Sequence, residues 1–553
     1  MIDGRTLVPA PLARGARGAV VAPHHLATVA GLAVLADGGS AVDAAIATNA
    51  VLAVVVPNGC GIGGDAFWLI WSEGARRLEA LNGSGRAAAG VDPVALRSAG
   101  LDRIPLRGPD PITVPGAVRS WADAHVRFGR LPRERVLGPA IELARDGFPA
   151  WVLFARAVEQ TAEALGDAPW ARAFHSVYRP AGRPWREGEL VQLPPLAATL
   201  ERLASEGFEE LYEGDTGEHA AAALESAGSP IRMGDLRSHA SDWSEPIDTT
   251  YRGVRAATHP PNSAGIVALE TLNILERFEP PAAGTFGPAG VTDPAWIHLG
   301  IEASKLALGD RDAWLTDGDH LEPGVVDRLL DRGRAAELAS RIDPRRASTD
   351  GPPSRLLVGG TIWLGVVDGE GNTVSLIQSN ASGFGSGVVD PITGIHFQNR
   401  GASFALDPDH PNVIAPRKRT LHSLMPGMLF RDGRPWVVVG SMGGDAQPQI
   451  HAQVVSALVD GGVDVATAVS APRWFVEPDP TPGPATQVRI EPRFGADVLE
   501  GLESLRHPLS RVEPFDGLLG HCHAIELVDG GPAAGGTLAA ATDPRSAGLP
   551  AAR

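Results

Sequence analysis

The chain has 553 residues, which at roughly 150 residues per domain allows three or four domains or one unusually large core. Its formal net charge of −17 argues against nucleic acid and anionic membranes as main partners, because the average field of the protein repels both. Its two cysteines, Cys60 and Cys522, exclude a disulfide framework and a cysteine-rich zinc site.

The N-terminal region predicts two helices and no targeting segment. Residues 1–17 lack the apolar stretch of a secretory signal, and no apolar run approaches the ~18 residues of a membrane span, so we expect a cytoplasmic protein. Apolar spacing predicts a helix over residues 26–36, ended by Gly38-Gly39, and a second over residues 41–55. The second is almost entirely small or apolar, which is typical of a helix buried on most sides.

A glycine-rich stretch over residues 58–65 follows, and a strand is predicted over residues 66–71. Gly59, Gly61 and Gly64 fit the G-x-G-x-x-G pattern of dinucleotide-binding proteins. That fingerprint follows a strand and opens a helix, whereas here a helix precedes and a strand follows. We therefore interpret the stretch as a packed turn that lets a loop approach the site.

The middle of the chain is mainly helical in pattern. Predicted helices lie around Trp121, over residues 138–145, through much of residues 151–250, and over residues 266–276 and 301–309. We interpret Asp310-Arg311-Asp312 as a solvated or inter-chain ion pair rather than a site. Residues 332–353 are polar and contain helix breakers, so we expect a mobile, cleavable connection there.

Strand-like runs dominate the second half of the chain. They cover residues 361–368, 374–378, 428–430, 436–440, 488–490 and 522–527, and the clearest helix there covers residues 445–459. A helix-rich part followed by a strand-rich part predicts stacked layers, with sheets between helices.

Gly359-Gly360-Thr361 is the first candidate site, because Thr361 opens a predicted buried strand directly after two glycines. The glycines leave the Gly360 carbonyl uncrowded, which suits attack by the Thr361 hydroxyl on its own N-terminal peptide bond. Cleavage would give Thr361 a free amine that can act as base for its own hydroxyl. On these residues alone, the alternative stays open that threonine opens a strand because it favours strands.

The second candidate is the stretch 437–445, in which a strand leads through Gly443-Gly444 into a helix. The N–H groups of a helix N-terminus suit the oxyanion of acyl transfer, although a phosphate site or an ordinary turn has the same pattern. His521-Cys522-His523 places two histidines on one strand with no third ligand nearby in sequence. We therefore interpret it as structural and expect no metal site.

These motifs, in this order, resemble those of the γ-glutamyltranspeptidase family over nearly the whole chain. The stretches that carry the resemblance are Leu26-Ala27-Thr28 with Ala30-Gly31, residues 38–45, Gly61-Ile62-Gly63-Gly64, Val114-Pro115-Gly116, residues 144–148, Pro260-Pro261-Asn262-Ser263 with Gly265, residues 361–378 and Asp543-Pro544-Arg545. The resemblance implies an α/β (α+β) fold, the αββα sandwich of N-terminal-nucleophile hydrolases. It also implies an inactive precursor that cleaves itself between Gly360 and Thr361. Residues 1–360 would be the helix-rich large-subunit portion and residues 361–553 the small-subunit portion of one intertwined unit.

The same resemblance assigns roles to individual positions. Thr361 matches the nucleophile, Ser379 a second hydroxyl residue that supports it, and Gly443 and Gly444 the oxyanion-hole pair. His422 and Ser423 fall where typical transpeptidases contact the substrate carboxylate through two serines, and a purely structural His422 stays equally open. No metal or organic cofactor is implied.

Other positions depart from the transpeptidase pattern. The position of a substrate-binding asparagine holds Ala381, with Asn380 beside it. The two positions that help to bind the α-amino group of glutamate hold Arg400 and Ser403, and Arg86 is the candidate for the arginine that binds the α-carboxylate. Because a guanidinium repels an ammonium group and attracts a carboxylate, these differences favour the oxamate-amidohydrolase and acylase-like branch of the family.

The sequence thus predicts a self-processing amidohydrolase that hydrolyses a small, carboxylate-bearing, oxamate-like amide through a threonyl acyl-enzyme. A γ-glutamyltransferase or glutathione hydrolase is the alternative, and a catalytically silent relative that only binds a ligand also stays open. The expected partners are a small-molecule amide and the second chain cut from the same precursor. Assembly into a homo-oligomer stays open.

Overall fold

The computed structural model describes residues 10–349, 359–478 and 486–553, and its framework is two sheets of seven strands each. In chain order the strands are β1 (Leu12–Gly15), β2 (Gly18–Val21), β3 (Asp65–Ser72), β4 (Arg77–Gly83), β5 (Phe148–Pro149), β6 (Leu190–Val191), β7 (Asp242–Ser244), β8 (Ile247–Tyr251), β9 (Val254–Thr258), β10 (Phe286–Gly287), β11 (Gly290–Val291), β12 (Thr361–Asp368), β13 (Thr373–Ser379), β14 (Gly427–Arg431), β15 (Arg434–Ser441), β16 (Trp474–Pro478), β17 (Thr486–Ile490), β18 (Leu509–Arg511), β19 (Cys522–Val528), β20 (Thr537–Ala541) and β21 (Ala551–Ala552).

The helices flank these sheets. In chain order they are α1 (His25–Ala36), α2 (Ala41–Val55), α3 (Pro93–Ser98), α4 (Ala117–Phe128), α5 (Arg133–Asp146), α6 (Val152–Leu165), α7 (Arg172–Tyr178), α8 (Pro194–Glu206), α9 (Glu210–Glu213), α10 (Asp215–Ala227), α11 (Met233–Arg237), α12 (Gly265–Leu275), α13 (Pro294–Trp314), α14 (Val325–Leu329), α15 (Arg332–Ser340), α16 (Gln447–Val459), α17 (Val465–Ser470) and α18 (Ala496–Ser504). None of them, within the described ranges, combines the length and apolar character needed to cross a membrane.

The first large sheet, called sheet I, has the strand order β21-β2-β12-β13-β3-β4-β7, and the second, sheet II, has the order β1-β20-β19-β15-β14-β9-β8. Every pairing within both sheets is antiparallel. Each sheet contains strands from both sides of the Gly360–Thr361 bond. Neither sheet is therefore complete without both parts of the chain.

The two sheets pack face to face, and β12 shows how its sequence allows this. Trp363 and Val367 lie in the apolar layer between the sheets, with Val438 of β15 opposite them. Ile362 and Leu364 point to the other face of the same strand, into the core beneath the helices. Because successive side chains of a strand alternate between its faces, a strand covered on both faces has a continuous apolar run.

Helices cover the outer face of each sheet. The core that contains Ile362 also contains nearly every apolar residue of α2, and all residues of α2 are buried. A second core joins Leu272 of α12 and Ile450 of α16 to Val439 of sheet II. The order helix, sheet, sheet, helix confirms the predicted αββα sandwich.

Local signals fix both ends of α2, whereas the helices predicted over residues 138–145 and 301–309 are only parts of the longer α5 and α13. Ser40 Oγ accepts a hydrogen bond from Asp43 N at 3.1 Å, and the Asp43 carboxylate accepts one from Ser40 N at 2.9 Å. This reciprocal pair satisfies two N–H groups at the start of α2, which begins at the predicted residue. The prediction of a mobile connection over residues 332–353 is wrong at its start, where α15 lies, while residues 350–353 are outside the described residues.

Candidate active site

Thr361 is the first residue of β12, near the middle of sheet I, and its side chain is buried. Register places it directly opposite Ser379 of β13, and Ser379 in turn directly opposite Asp65 of β3. Directly opposed residues of neighbouring strands point to the same face of a sheet. A hydroxyl, a second hydroxyl and a carboxylate therefore form one row across three strands.

A short hydrogen-bond chain connects the first two members of this row to the peptide bond between Gly360 and Thr361. Thr361 Oγ1 donates to Ser379 Oγ at 3.0 Å, and Ser379 Oγ donates to the Gly360 carbonyl oxygen at 2.7 Å. The Ala381 N–H donates to the same Ser379 oxygen at 2.8 Å. Ser379 thus orients the Thr361 hydroxyl and polarises the Gly360 carbonyl.

Both glycines before Thr361 are required by close packing. A Cβ atom on Gly360 would lie 2.0 Å from the Asn58 carbonyl oxygen, and one on Gly359 would lie 2.3 Å from the Ala381 carbonyl oxygen. Ala381 itself has a φ of 76°, a left-handed conformation that turns the chain back towards this segment. The predicted glycine turn over residues 58–65 thus packs against the peptide bond.

The loop after β15 lies on the other side of this segment. Gly443 and Gly444 have φ values of 146° and 56°, and a short 3₁₀ turn at Gly444–Ala446 precedes α16. Within the described residues, the N–H groups of Gly443 and Gly444 make no backbone hydrogen bond. The Gly444 Cα is 3.7 Å from the point that a Gly359 Cβ would occupy, so these donors lie next to the chain that precedes Thr361.

Arg400 is buried nearby, and most of its hydrogen-bond donors lack an acceptor among the described residues. Its Nη1 donates to Ser423 Oγ at 3.3 Å, while Nε and Nη2 have no hydrogen-bond partner among the described residues. Burial lowers the pKa of Arg400 to about 10, with the Asp65 and Asp445 carboxylates acting in the opposite direction. The side chain therefore remains a cation at neutral pH.

Ser423 connects Arg400 to the glycine loop. With its amide oriented to donate, Gln447 reaches the Ser423 carbonyl oxygen at 3.0 Å. Ser403, Ser423 and Asp445 line a pocket of about 610 Å³. The predicted residues Arg400, Ser403, Ser423 and Gly444 are thus brought to one region.

The other three predicted binding residues are Asn380, Arg86 and His422, and each makes contacts of its own. Asn380 Nδ2 is 3.1 Å from the Pro57 carbonyl oxygen and 2.8 Å from His396 Nε2. These contacts hold the glycine turn in place.

Arg86 pairs with Asp317 at 3.3 Å and Asp319 at 3.1 Å and lines a separate pocket with His239. Its charge is already matched there.

His422 is fully buried, with its Nε2 3.0 Å from Asp65 Oδ2. Burial and the Arg400 charge hold its pKa well below the usual range, so the ring is neutral. Its side chain thus holds Asp65 in place and does not line the large pocket.

The sequence analysis assigns no role to Asp65 and misinterprets one charged triplet. The available signal for Asp65 is a carboxylate that opens a buried strand, which is unusual. The prediction that Asp310-Arg311-Asp312 is solvated or inter-chain is wrong, because Arg311 is buried and pairs with Asp312 at 2.6 Å and Asp445 at 3.5 Å within the chain. Arg311 and Asp445 both line the large pocket.

Potential metal ligands cluster away from this site. In the part of the chain that the structure describes, His298, Glu302 and His507 place ligand atoms within 4.8 Å of one another. Lys305 Nζ lies 2.8 Å from Glu302 Oε1, so an ammonium group already balances that carboxylate. The predicted structural role of His521 and His523 fits their burial in and beside β19.

Comparison with known proteins gives consistent similarities. The model of the γ-glutamyltranspeptidase family matches residues 27–552. The oxamate amidohydrolase proenzyme of Klebsiella pneumoniae is 38% identical over 543 residues, and the match covers 97% of this chain and 98% of that protein. The glutathione hydrolase-like YwrD proenzyme of Bacillus subtilis is 36% identical over 536 residues, with the same shares covered.

A solved structure is similar over its whole length. The crystal structure of cephalosporin acylase from Bacillus halodurans superposes with a TM-score of 0.90 at 36% identity. The superposition covers 100% of this chain and 99% of that chain.

Proposed function

Because this chain belongs to the γ-glutamyltranspeptidase family and is an N-terminal-nucleophile amidohydrolase, we propose that it cuts itself between Gly360 and Thr361 and then hydrolyses a small amide that bears a carboxylate. Oxamate-like compounds are the first choice of substrate. The hydrogen-bond chain from Thr361 through Ser379 to the Gly360 carbonyl carries the proposal.

Self-cleavage would begin with attack of Thr361 Oγ1 on the Gly360 carbonyl carbon. The hydroxyl proton moves to the departing nitrogen as the C–N bond breaks, which leaves an ester between the Gly360 acyl group and the Thr361 oxygen. Water then hydrolyses the ester and leaves a Gly360 carboxylate and a Thr361 amine. Residues 1–360 and 361–553 become the large and small subunits.

Turnover would use the freed amine as the base. It accepts the Thr361 hydroxyl proton as the oxygen attacks the substrate amide, and the N–H groups of Gly443 and Gly444 stabilise the oxyanion. The protonated amine then gives its proton to the substrate nitrogen, which leaves as the C–N bond breaks, and water hydrolyses the remaining threonyl acyl-enzyme. Ser379 stays beside the nucleophile throughout and fixes its orientation.

The positive charge of Arg400 near the pocket favours a substrate that carries a carboxylate. Arg400 is a buried cation with two donor nitrogens that lack partners among the described residues. Buried donors without hydrogen bonds are costly, and a carboxylate would satisfy two of them at once. Oxamate, the substrate named for the similar oxamate amidohydrolase proenzyme of Klebsiella pneumoniae, is an amide of this class.

The alternative is a γ-glutamyltransferase or glutathione hydrolase. Similarity to the glutathione hydrolase-like proenzyme of Bacillus subtilis favours it. A γ-glutamyl substrate carries an ammonium group, which the Arg400 charge would repel, so its binding needs acidic groups such as Asp445 to outweigh Arg400.

Assays with two substrates separate these functions. We expect the cleaved protein to release ammonia from oxamate and to leave γ-glutamyl anilide nearly untouched. Arg400→Gln should raise the KM for oxamate by about 10- to 100-fold, as expected for a lost hydrogen bond to a charged group. The exposed Arg277→Gln is the matched control and should keep the original KM. Preference for the anilide would favour the alternative.

A catalytically silent relative is distinguished by denaturing gel electrophoresis. The wild-type protein should run as two fragments, residues 1–360 and 361–553, and Thr361→Ala should run as one uncut chain without activity. Thr361→Ser should still process, because it keeps the hydroxyl. A wild-type protein that remains one band and turns over no amide would support the silent relative.

A further inference from the structure

Asp65 completes the row that begins at the nucleophile. It lies opposite Ser379, which lies opposite Thr361, so its backbone is two strand spacings, roughly 10 Å, from that of the nucleophile. Its side chain is fully buried. Nothing in the reaction described above uses this carboxylate.

Three segments of the chain donate hydrogen bonds to Asp65. The Gly85 N–H and Gln398 Nε2 each donate to Oδ1 at 2.8 Å, and His422 Nε2 lies 3.0 Å from Oδ2. Gly85 precedes the Gly360–Thr361 bond in sequence, whereas Gln398 and His422 follow it. Asp65 therefore joins the two prospective subunits at the side of the site that carries Arg400.

Charged and titratable groups face Asp65 from several directions. Arg400 and Arg419 attract its negative charge, the neutral His422 ring touches it, and Tyr212 lies within range of its field. Burial outweighs the two arginines and raises the pKa of Asp65 to about 6. The carboxylate thus changes charge near pH 6, within the field of a cation whose Nε and Nη2 have no hydrogen-bond partner among the described residues.

We propose that Asp65 is a positioning and specificity-determining residue, which braces Gln398 and His422 and takes up a proton when a substrate carboxylate binds at Arg400. The inference rests on the proposed function for the choice of ligand. Ionised Asp65 and a bound carboxylate compete for the same guanidinium field, so binding favours the protonated form of Asp65. In return, Arg400 should bind a substrate carboxylate more tightly when Asp65 is protonated.

The sign of the pH dependence follows from this competition. Below pH 6, Asp65 is already protonated and a carboxylate binds without proton uptake. Above pH 6, and up to the pKa that Asp65 has in the complex, binding also takes up a proton, so affinity falls by up to about tenfold per pH unit. The dissociation constant of a carboxylate ligand should therefore rise with pH.

Oxalate is a suitable probe because it carries carboxylates and needs no turnover. Isothermal titration of the processed wild-type protein with oxalate, in two buffers of different ionisation enthalpy, measures the protons taken up. We expect uptake close to zero at pH 5 and approaching one proton at pH 8. Absence of oxalate binding, or of uptake at pH 8, would overturn the inference without any variant.

The variant Asp65→Asn removes the titration while it keeps the shape of the side chain. Its oxalate affinity should vary much less between pH 5 and pH 8 than that of wild type, with only the freed Thr361 amine left to titrate there, and it should be up to about 100-fold above that of wild type at pH 8. Asp368→Asn is the matched control, because Asp368 is a buried aspartate at the far end of β12 whose hydrogen bonds involve Ala41, Glu370 and Asn372. It should keep the wild-type pH profile.

The outcomes separate this inference from the proposed function. If oxalate binds with proton uptake but no carboxylate amide is hydrolysed, the proposed function fails and the role of Asp65 stands. If amides are hydrolysed but Asp65→Asn keeps the wild-type pH profile, the role of Asp65 is wrong. A purely structural Asp65 would lower stability or processing in the variant without removing the pH dependence.

Discussion

The Ser379 hydroxyl takes part in three hydrogen bonds around the Gly360–Thr361 bond. Its hydroxyl accepts from Thr361 and from the Ala381 N–H and donates to the Gly360 carbonyl oxygen. A hydroxyl with two donors aimed at it must direct its own hydrogen elsewhere, and the carbonyl is the acceptor that remains. The geometry therefore settles which way Ser379 points its hydrogen.

Ser379→Ala should slow self-cleavage much more than it destabilises the fold. It removes the donor that polarises the Gly360 carbonyl, and the loss of one such donor costs roughly 100- to 1,000-fold in rate. The measurement is the time course of fragment appearance on denaturing gels. Ser382→Ala is a control on the same loop, since the hydrogen bonds that Ser382 makes in the structure use its backbone. Equal cleavage rates in the two variants would contradict this role.

At the scale of elements, β12 and β15 approach each other across the two sheets where Trp363 covers Gly440. Trp363 Nε1 donates to Ser375 Oγ at 3.0 Å, which fixes the indole in the layer between the sheets. A Cβ atom on Gly440 would lie 2.1 Å from Trp363 Nε1. Gly440 thus leaves the space that lets β15 carry its glycine loop to the start of β12.

Gly440→Ala should lower the free energy of unfolding by about 1–3 kcal/mol, because the added methyl group overpacks a filled core. Processing should also slow, since the displaced strand carries Gly443 and Gly444. Urea unfolding followed by tryptophan fluorescence gives the first quantity and gels give the second. Gly309→Ala on α13 is the control, because its Cβ would meet no atom of the described residues within 4 Å. It should leave stability equal or higher.

Elements with local signals could be predicted, whereas the site depends on contacts that sequence does not display. The caps and apolar pattern of α2 and the apolar run of β12 gave their positions to within a residue. The helix after Gly444 starts at Gln447 instead of Asp445, because Gly443 and Gly444 both take positive φ values first. The place of Asp65 beside the nucleophile could not be predicted, because it comes from strand register with Ser379, more than 300 residues away.

The whole molecule is organised so that a cut before Thr361 leaves its sheets intact. In sheet I, β12 pairs with β2 and β13 pairs with β3, while in sheet II β1 pairs with β20 and β9 with β14. Each of these pairings joins residues on opposite sides of the Gly360–Thr361 bond. Each chain alone would expose sheet edges and apolar faces that the other covers.

The two subunits should therefore stay together after cleavage and separate only when they unfold. Size-exclusion chromatography should give the same elution volume for the processed protein and for uncut Thr361→Ala. In urea, the midpoint of the processed protein should rise with protein concentration, because unfolding releases two chains, whereas the midpoint of uncut Thr361→Ala should not, provided that neither protein assembles further. Fragments that separate in native buffer, or midpoints of both proteins that ignore concentration, would show that the interleaved strands do not hold the subunits. The concentration dependence is the sharper measurement, because it distinguishes two chains that fold as one unit from two that fold alone and merely associate.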